Sequence, residues 1–188
     1  MKEHALKEQG LVQIALYAAL IAALGLIPPV PFLSGIPITA QSLGVMLAGV
    51  MLGPLRGFLA VVLLLFVVAL GAPLLAGGRG GLAVFVGPTA GFAIGWAFAA
   101  LATGWVTQQL QRLNLAVAAG IGAFVGGILV LYVFGILGFM LITDNGLLRS
   151  TQIMMVYIPG DLVKVVITGL VAQAVYKGLP GAVATRVV

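Results

Sequence analysis

Apolar residues in this chain form long, nearly uninterrupted runs that are separated by proline and glycine. A transmembrane helix needs about 20 consecutive, mostly apolar residues, and proline ends a helix because it supplies no backbone donor. The pattern therefore predicts six apolar segments, at Leu11–Ile27, Ser42–Leu52, Leu55–Leu70, Val84–Val106, Leu115–Ile142 and Pro159–Tyr176.

The second and third segments are shorter than a membrane is thick. They are either tilted spans that loop residues complete or one re-entrant pair, and the charge distribution described below favours six spans. The first apolar stretch runs from Leu11 to about Val30. That is longer than the apolar part of a signal peptide, about 7–15 residues, so we expect a retained helix.

Composition supports the membrane assignment. Hydrophobic residues make up 62% of the 188 residues, and charged residues only 7%. Soluble domains carry about 25% charged residues, so most of this chain needs lipid as its solvent. We expect an all-α membrane protein, a bundle of six transmembrane helices in which residues 1–188 form a single transmembrane domain. The nine Lys and Arg residues form no basic run, so nucleic acid is not an expected partner. With no Cys and one His, a metal site is not expected either.

The basic residues also predict the orientation in the cell membrane. If both termini are cytoplasmic, the outer side carries Arg79 and Arg149, and the inner side carries six basic residues: Lys2, Lys7, Arg56, Arg112, Lys177 and Arg186. This obeys the positive-inside rule. The irregular stretches 28–41 and 71–81 then meet at the outer end. Such backbone is tolerated at membrane depth only inside protein or around a cavity, which predicts an outward-facing ligand pocket.

The strongest polar signal is PGDLVK, residues 159–164. Pro159 suits the first turn of a helix, Asp161 follows where the helix dipole favours an anion, and Lys164 lies on the same face three residues later. Ionisable residues within spans usually mark a substrate path. The alternative is that the two charges only neutralise each other.

Further candidate ligand-binding residues lie in the predicted outer loops. Arg79 in AGGRGG has a guanidinium that matches a carboxylate, and Gly78 and Gly80 permit close backbone approach; the alternative is a flexible surface turn. Thr89 and Gln41 each offer polar groups to a ligand. For Thr89 alone, helix capping is the better explanation, and for Gln41 the alternative is a helix-end hydrogen bond.

Ala15, Ala19 and Ala23 form a row of small residues at a spacing of four in the first segment. Such rows let helices approach closely in lipid. The row either packs inside the bundle or forms a docking face for a partner protein.

Catalytic residues are scarce in this sequence. It has no Ser-His-Asp set and no Walker A pattern. Ligand binding without catalysis and without a cofactor is therefore the expected activity.

The motifs together resemble the BioY family, the biotin-binding S components of energy-coupling-factor (ECF) transporters. The resemblance runs from about Ile36 to Lys164 and rests on four stretches in this order: IPITAQSLGVMLAGVMLGPLRG, AGGRGG, GPTAGF and PGDLVK. The chain departs from the family pattern at Ala90 and Phe92, where glycine and tyrosine are frequent.

The resemblance implies a six-helix bundle that binds biotin near the outer surface and passes it inward. It also implies a transmembrane coupling protein and two ATP-binding subunits as partners, with Ala15, Ala19 and Ala23 as the docking face. Asp161 would accept from the ureido N–H groups, Lys164 or Gln41 would donate to the ureido carbonyl, and Arg79 would meet the carboxylate. The resemblance leaves open whether the chain acts without these partner subunits and whether it forms a homo-oligomer. Three alternative functions also stay open: an S component for another vitamin, an intramembrane enzyme and a structural membrane protein.

Overall fold

The computed structural model describes residues 2–30 and 37–186, and this part of the chain is built from helices joined by short loops. Its seven helices are α1 (Lys2–Leu24), α2 (Gln41–Leu52), α3 (Pro54–Ala69), α4 (Ala90–Gln109), α5 (Leu115–Thr143), α6 (Leu147–Met155) and α7 (Ile158–Gly178). Within the described ranges the only β-type pairings are isolated bridges. The all-α prediction is confirmed.

Three helices, α4, α5 and α7, are long and apolar enough to cross a membrane. The Glu8–Leu24 part of α1, together with α2 and α3, is apolar but shorter. At a rise of 1.5 Å per residue, α2 extends only about 18 Å, against a hydrocarbon core about 30 Å thick. The count of six spans therefore stays a prediction.

One predicted boundary is wrong, and one helix was not predicted. The segment predicted at Val84–Val106 begins with a separate 3₁₀ turn, Leu82–Phe85, and the α-helix starts only at Ala90, because Pro88 precedes it. The sequence pattern also gave no sign of α6, a nine-residue helix between α5 and α7. Polar residues interrupt its apolar run, and it buries only Ser150 and Met154.

Helices α2 and α4 meet backbone to backbone near the centre of the bundle. A Cβ added at Gly49 would collide with the Ala100 carbonyl oxygen, and one added at Gly104 would lie 2.6 Å from the Gly49 carbonyl oxygen. Small residues permit such close contacts in lipid, where helix association depends on packing. At the end of α2, Gly53 adopts a φ of 82° and Pro54 begins α3.

Helix α5 contains a π-helical segment at Val125–Val130. Two glycines in this segment let it approach its neighbours. An added Cβ at Gly126 would collide with Thr103 on α4, and one at Gly127 would collide with Met46 on α2. The π segment is therefore held from two sides, and the residues that follow it are fixed in orientation.

A second, smaller core lies at the far end of α2. It is formed by Val50, Met51, Leu115, Ala119, Ala172 and Val183. The C-terminal segment closes this end, because the Thr185 hydroxyl donates to the Val50 carbonyl at 2.8 Å and the Arg186 Nη2 donates to the Leu113 carbonyl at 2.8 Å. The opposite end of α2 faces a cavity.

Candidate functional site

The cavity lies where α2, α4 and α7 begin. It encloses about 680 Å³, a volume that includes open solvent at its mouth. Two backbone hydrogen bonds of 3.0 Å between Val30 and Ile38 hold one rim in place. The lining combines apolar, polar and charged side chains, namely Pro37, Ile38, Thr39, Ser42, Leu75, Arg79, Val84, Thr89, Phe92, Ala93, Trp96, Leu131, Tyr157, Asp161 and Lys164.

Asp161 and Lys164 form a salt bridge in this cavity. The Lys164 Nζ lies 2.8 Å from Asp161 Oδ1. The pair forms because Pro159 lies at the start of α7 and the two side chains are three residues apart on one helix face. The predicted geometry of the pair is confirmed by this contact. Asp161 is buried and Lys164 partly buried.

Two further residues complete this polar group, and neither was predicted from the sequence pattern. The Tyr132 hydroxyl donates to Asp161 Oδ2 at 2.6 Å, and Lys164 Nζ donates to Ser42 Oγ at 2.9 Å. Ser42 lines the cavity, whereas Tyr132 contacts Asp161 from outside the cavity lining. The salt bridge on α7 is therefore held between α5 and α2.

Arg79 lines the same cavity, but it comes from the loop between α3 and α4. Its Nε donates to the Ala76 carbonyl at 3.2 Å, and its Nη1 donates to Thr89 Oγ1 at 3.1 Å. Partial burial lowers the pKa of the Arg79 guanidinium below its ordinary value. In the described part of the chain, no carboxylate lies within salt-bridge distance of Arg79. This cation therefore has neutral partners and is available to an anionic ligand.

Gly78 and Gly80 do not line the cavity; they shape the loop that carries Arg79. Leu75 and Arg79 exchange two backbone hydrogen bonds of 3.0 and 3.1 Å, and the turn between them has positive φ at Gly77 (78°) and Gly78 (71°). Glycine adopts such angles without strain. At Gly80, an added Cβ would collide with the Ala72 carbonyl oxygen. The geometry of Gly78 and Gly80 indicates that both glycines shape the backbone of this loop.

Gln41 also stays outside the cavity lining, and its side chain is almost fully buried. Its Nε2 donates to the Ile21 carbonyl at 3.1 Å and to the Leu74 carbonyl at 3.0 Å, while its Oε1 accepts from the Ala76 N–H at 2.8 Å. The amide is thus occupied by backbone groups. This geometry favours the alternative of a structural hydrogen bond over ligand contact.

Aromatic side chains form the apolar wall. Phe92, Trp96 and Tyr157 line the cavity, and the Phe92 ring packs edge-on against Tyr132 with centroids 6.1 Å apart. A ring face of this kind suits a flat or apolar ligand group. Trp96 and Tyr157 were not among the predicted site residues, because a single aromatic residue in so apolar a chain carries no distinguishing pattern.

A family model described as the BioY family matches residues 1–181. The chain belongs to the BioY family. A BioY relative from Rhodobacter capsulatus, a biotin transporter by name, is 54% identical over 95% of this chain and 99% of its own length. A second biotin transporter BioY, from Rhizobium etli, is 47% identical over 92% of this chain and 95% of its own length.

A solved structure shares the fold. It is the crystal structure of the S-component for biotin from an ECF-type ABC transporter, with a TM-score of 0.86 and 30% sequence identity. The match covers 92% of this chain and 93% of that chain. The predicted membership of the BioY family and the S-component fold are both confirmed.

In this BioY member, the row Ala15, Ala19 and Ala23 lies on the outside of α1, where all three residues are exposed. The neighbouring Ala18 is buried against the bundle instead. The small-residue row therefore does not serve packing inside the chain. Among the described residues, no group of three or more His, Cys, Asp and Glu side chains could hold a metal ion.

Proposed function

We propose that this chain is a membrane biotin-binding and uptake protein, the substrate-specific S component of an ECF-type transporter or a version that acts alone. The observation that carries the proposal is one cavity into which Asp161, Lys164 and Arg79 all project. Relatives similar over most of the chain are biotin transporters by name. The cavity has the groups that such a ligand needs.

The Asp161–Lys164 pair suits the ureido ring of biotin. This ring has two N–H donors and one carbonyl acceptor. The carboxylate of Asp161 accepts from an N–H group, and the ammonium of Lys164 or the hydroxyl of Ser42 donates to the carbonyl. A charged acceptor beside a charged donor makes stronger hydrogen bonds than neutral groups do, so this end provides most of the orientation.

Arg79 and Thr89 suit the carboxylate tail. The guanidinium has five donors, and the bonds to Ala76 and Thr89 use only two of its three nitrogens. The cavity lining has two cationic side chains, Arg79 and Lys164, and one anionic side chain, Asp161. The first turns of α2, α4 and α7 also face the cavity with the positive ends of their helix dipoles. The site therefore favours a ligand with one negative charge. Phe92 and Trp96 would pack against its apolar thioether ring.

The proposed action needs no reaction and no cofactor. Biotin is held by non-covalent contacts, and ATP would be used only by partner subunits. These partners are a transmembrane coupling protein and two ATP-binding subunits, as expected of an S component. The exposed row Ala15, Ala19 and Ala23 is the proposed docking face, because a smooth helix surface permits close approach of a second helix.

The proposed location is the cell membrane, with both termini cytoplasmic. The six-to-two distribution of basic residues supports this orientation. The cavity then opens at the outer face, and biotin is delivered inward. Six spans accommodate this orientation, with the short α2 and α3 completed by adjoining loops.

Binding of radiolabelled biotin to the purified chain in detergent tests the proposal. Thiamine, riboflavin, cobalt and nickel serve as competitors. Saturable biotin binding that none of these four displaces is the expected result. Displacement by another vitamin, or no biotin binding by a monodisperse preparation, would overturn it.

A further inference from the structure

Asp161 presents its two oxygens to two different neighbours. Oδ1 accepts from Lys164 Nζ at 2.8 Å, and Oδ2 accepts from the Tyr132 hydroxyl at 2.6 Å. A carboxylate offers about four acceptor positions, so each oxygen keeps one further position for a ligand donor. Without Tyr132, only Lys164 would restrain the carboxylate about its last torsion angle, which has no sharp preference of its own.

Tyr132 itself lies outside the cavity. It is absent from the cavity lining and only 7% exposed. Its ring packs edge-on against Phe92, which does line the cavity, at 6.1 Å between centroids. A 2.6 Å O–H···O⁻ bond is in the range of charge-assisted hydrogen bonds. Tyr132 therefore acts through Asp161.

The fold holds Tyr132 firmly. It is the second residue after the π segment Val125–Val130, and the preceding Leu131 lines the cavity. Gly126 and Gly127 press this segment against α4 and α2. A π segment inserts an extra residue into the helical turn and is often found at functional sites. Here it determines which face of α5 carries Tyr132.

We propose that Tyr132 is a positioning residue that orients the Asp161 carboxylate toward the ureido N–H groups of the substrate. This inference rests on the proposed function, since it assigns a ligand to Asp161. It makes the preference for a ureido ring depend on a residue outside the cavity. Tyr132 would not contact biotin at any stage.

A double-mutant cycle tests the proposal, with biotin affinity measured on the purified full chain. Tyr132→Phe keeps the ring that Phe92 contacts and removes only the hydroxyl. It should weaken biotin by about tenfold, the affinity equivalent of losing one hydrogen bond to a charged group. In an Asp161→Asn background, the same change should alter affinity by less than about threefold. Tyr17→Phe, which removes a phenol on α1 away from the cavity, should bind like the parent.

The cycle separates positioning from a purely structural role, because a structural role would lower affinity equally in both backgrounds. An equal loss, or a Tyr132→Phe variant with parental affinity, would overturn the inference while biotin binding by the parent leaves the proposed function intact. No biotin binding by the parent would overturn both. If Tyr132→Phe does not purify as a folded chain, Tyr132→Met removes the same hydroxyl and is used in the same cycle.

Discussion

The side-chain carbonyl of Gln41 accepts a 2.8 Å hydrogen bond from the backbone N–H of Ala76. The Ala76 carbonyl in turn accepts from Arg79 Nε at 3.2 Å. A buried amide on α2 is thus linked, through the single residue Ala76, to the cation that lines the cavity. We therefore expect Gln41 to affect ligand binding indirectly, through the loop that carries Arg79.

Replacement of Gln41 should first lower stability. Gln41→Met keeps the length of the side chain but leaves Ala76 N and the carbonyls of Ile21 and Leu74 without their partner. Each buried polar group without a partner costs about 1–3 kcal/mol. We expect a clear drop in the thermal unfolding midpoint without biotin, and weaker biotin binding as the Arg79 loop loosens. Gln9→Met, at an exposed position of α1, is the control and should unfold like the parent. Normal unfolding with lost binding would instead indicate direct ligand contact by Gln41.

The charged pair should prove to be a ligand site. Asp161→Asn and Lys164→Met should each weaken biotin at least about tenfold, because a hydrogen bond to a charged group contributes about 1.5–3 kcal/mol. If the two charges only neutralised each other, the double variant would regain affinity, since replacing a buried ion pair is often neutral. We expect the double variant to stay weak in equilibrium binding. A double variant with parental affinity would remove the pair from the site.

Arg79 should select for the carboxylate tail. Arg79→Gln should weaken biotin about tenfold or more, as one charge-assisted interaction is lost. The methyl ester of biotin has no charge there, so its affinity should change little. Arg149→Gln changes the exposed arginine of α6 and serves as the matched control. Equal losses for biotin and its ester would show that Arg79 only maintains the loop.

The exposed alanine row should matter for transport and not for binding. Ala19→Trp adds bulk to a surface that packs against nothing in the described part of the chain. Uptake in cells should fall while the isolated chain binds biotin normally. Ala18→Trp is the contrasting variant: Ala18 is buried, so the same bulk should lower the unfolding temperature instead. Parental uptake by Ala19→Trp would argue that no partner docks on this row.

A fusion after Val188 tests the orientation. With both termini inside, a reporter that works only in the cytoplasm should be active, and one that works only outside should be silent. The same pair of reporters in the loop between Asp144 and Gly146 should give the opposite result. Activity of the external reporter at the C-terminus would place the cavity on the inner face.

The sequence predicts those parts of the site that depend on local spacing. Asp161 and Lys164 lie on one helix three residues apart, and a proline marks where that helix begins, so their contact follows from helix geometry. Ser42 is 122 residues from Lys164, and Tyr132 is 29 residues from Asp161. Which hydroxyl reaches which charge is decided by helix packing, and a hydropathy pattern does not contain this information.

The orientation of the Gln41 side chain also could not be predicted from the sequence. The sequence identifies it as an unusual amide in apolar surroundings. Whether the amide points to a cavity or to backbone depends on how α1 and the loop after α3 lie around it. Helix α6 was not predicted, because it is short and its polar residues interrupt the apolar run. In the sequence it therefore resembles a connecting segment.

The direct contact between α2 and α4 constrains the mechanics of transport. With only hydrogen atoms between Gly49 and the α4 backbone, neither helix can slide by one turn without driving a methyl or larger group into the other. These two helices therefore stay fixed relative to each other during transport. Helix α5 is held against both of them at Gly126 and Gly127. Release of a ligand therefore has to proceed by displacement of the remaining walls, the α3–α4 loop and α7, which carry Arg79, Asp161 and Lys164.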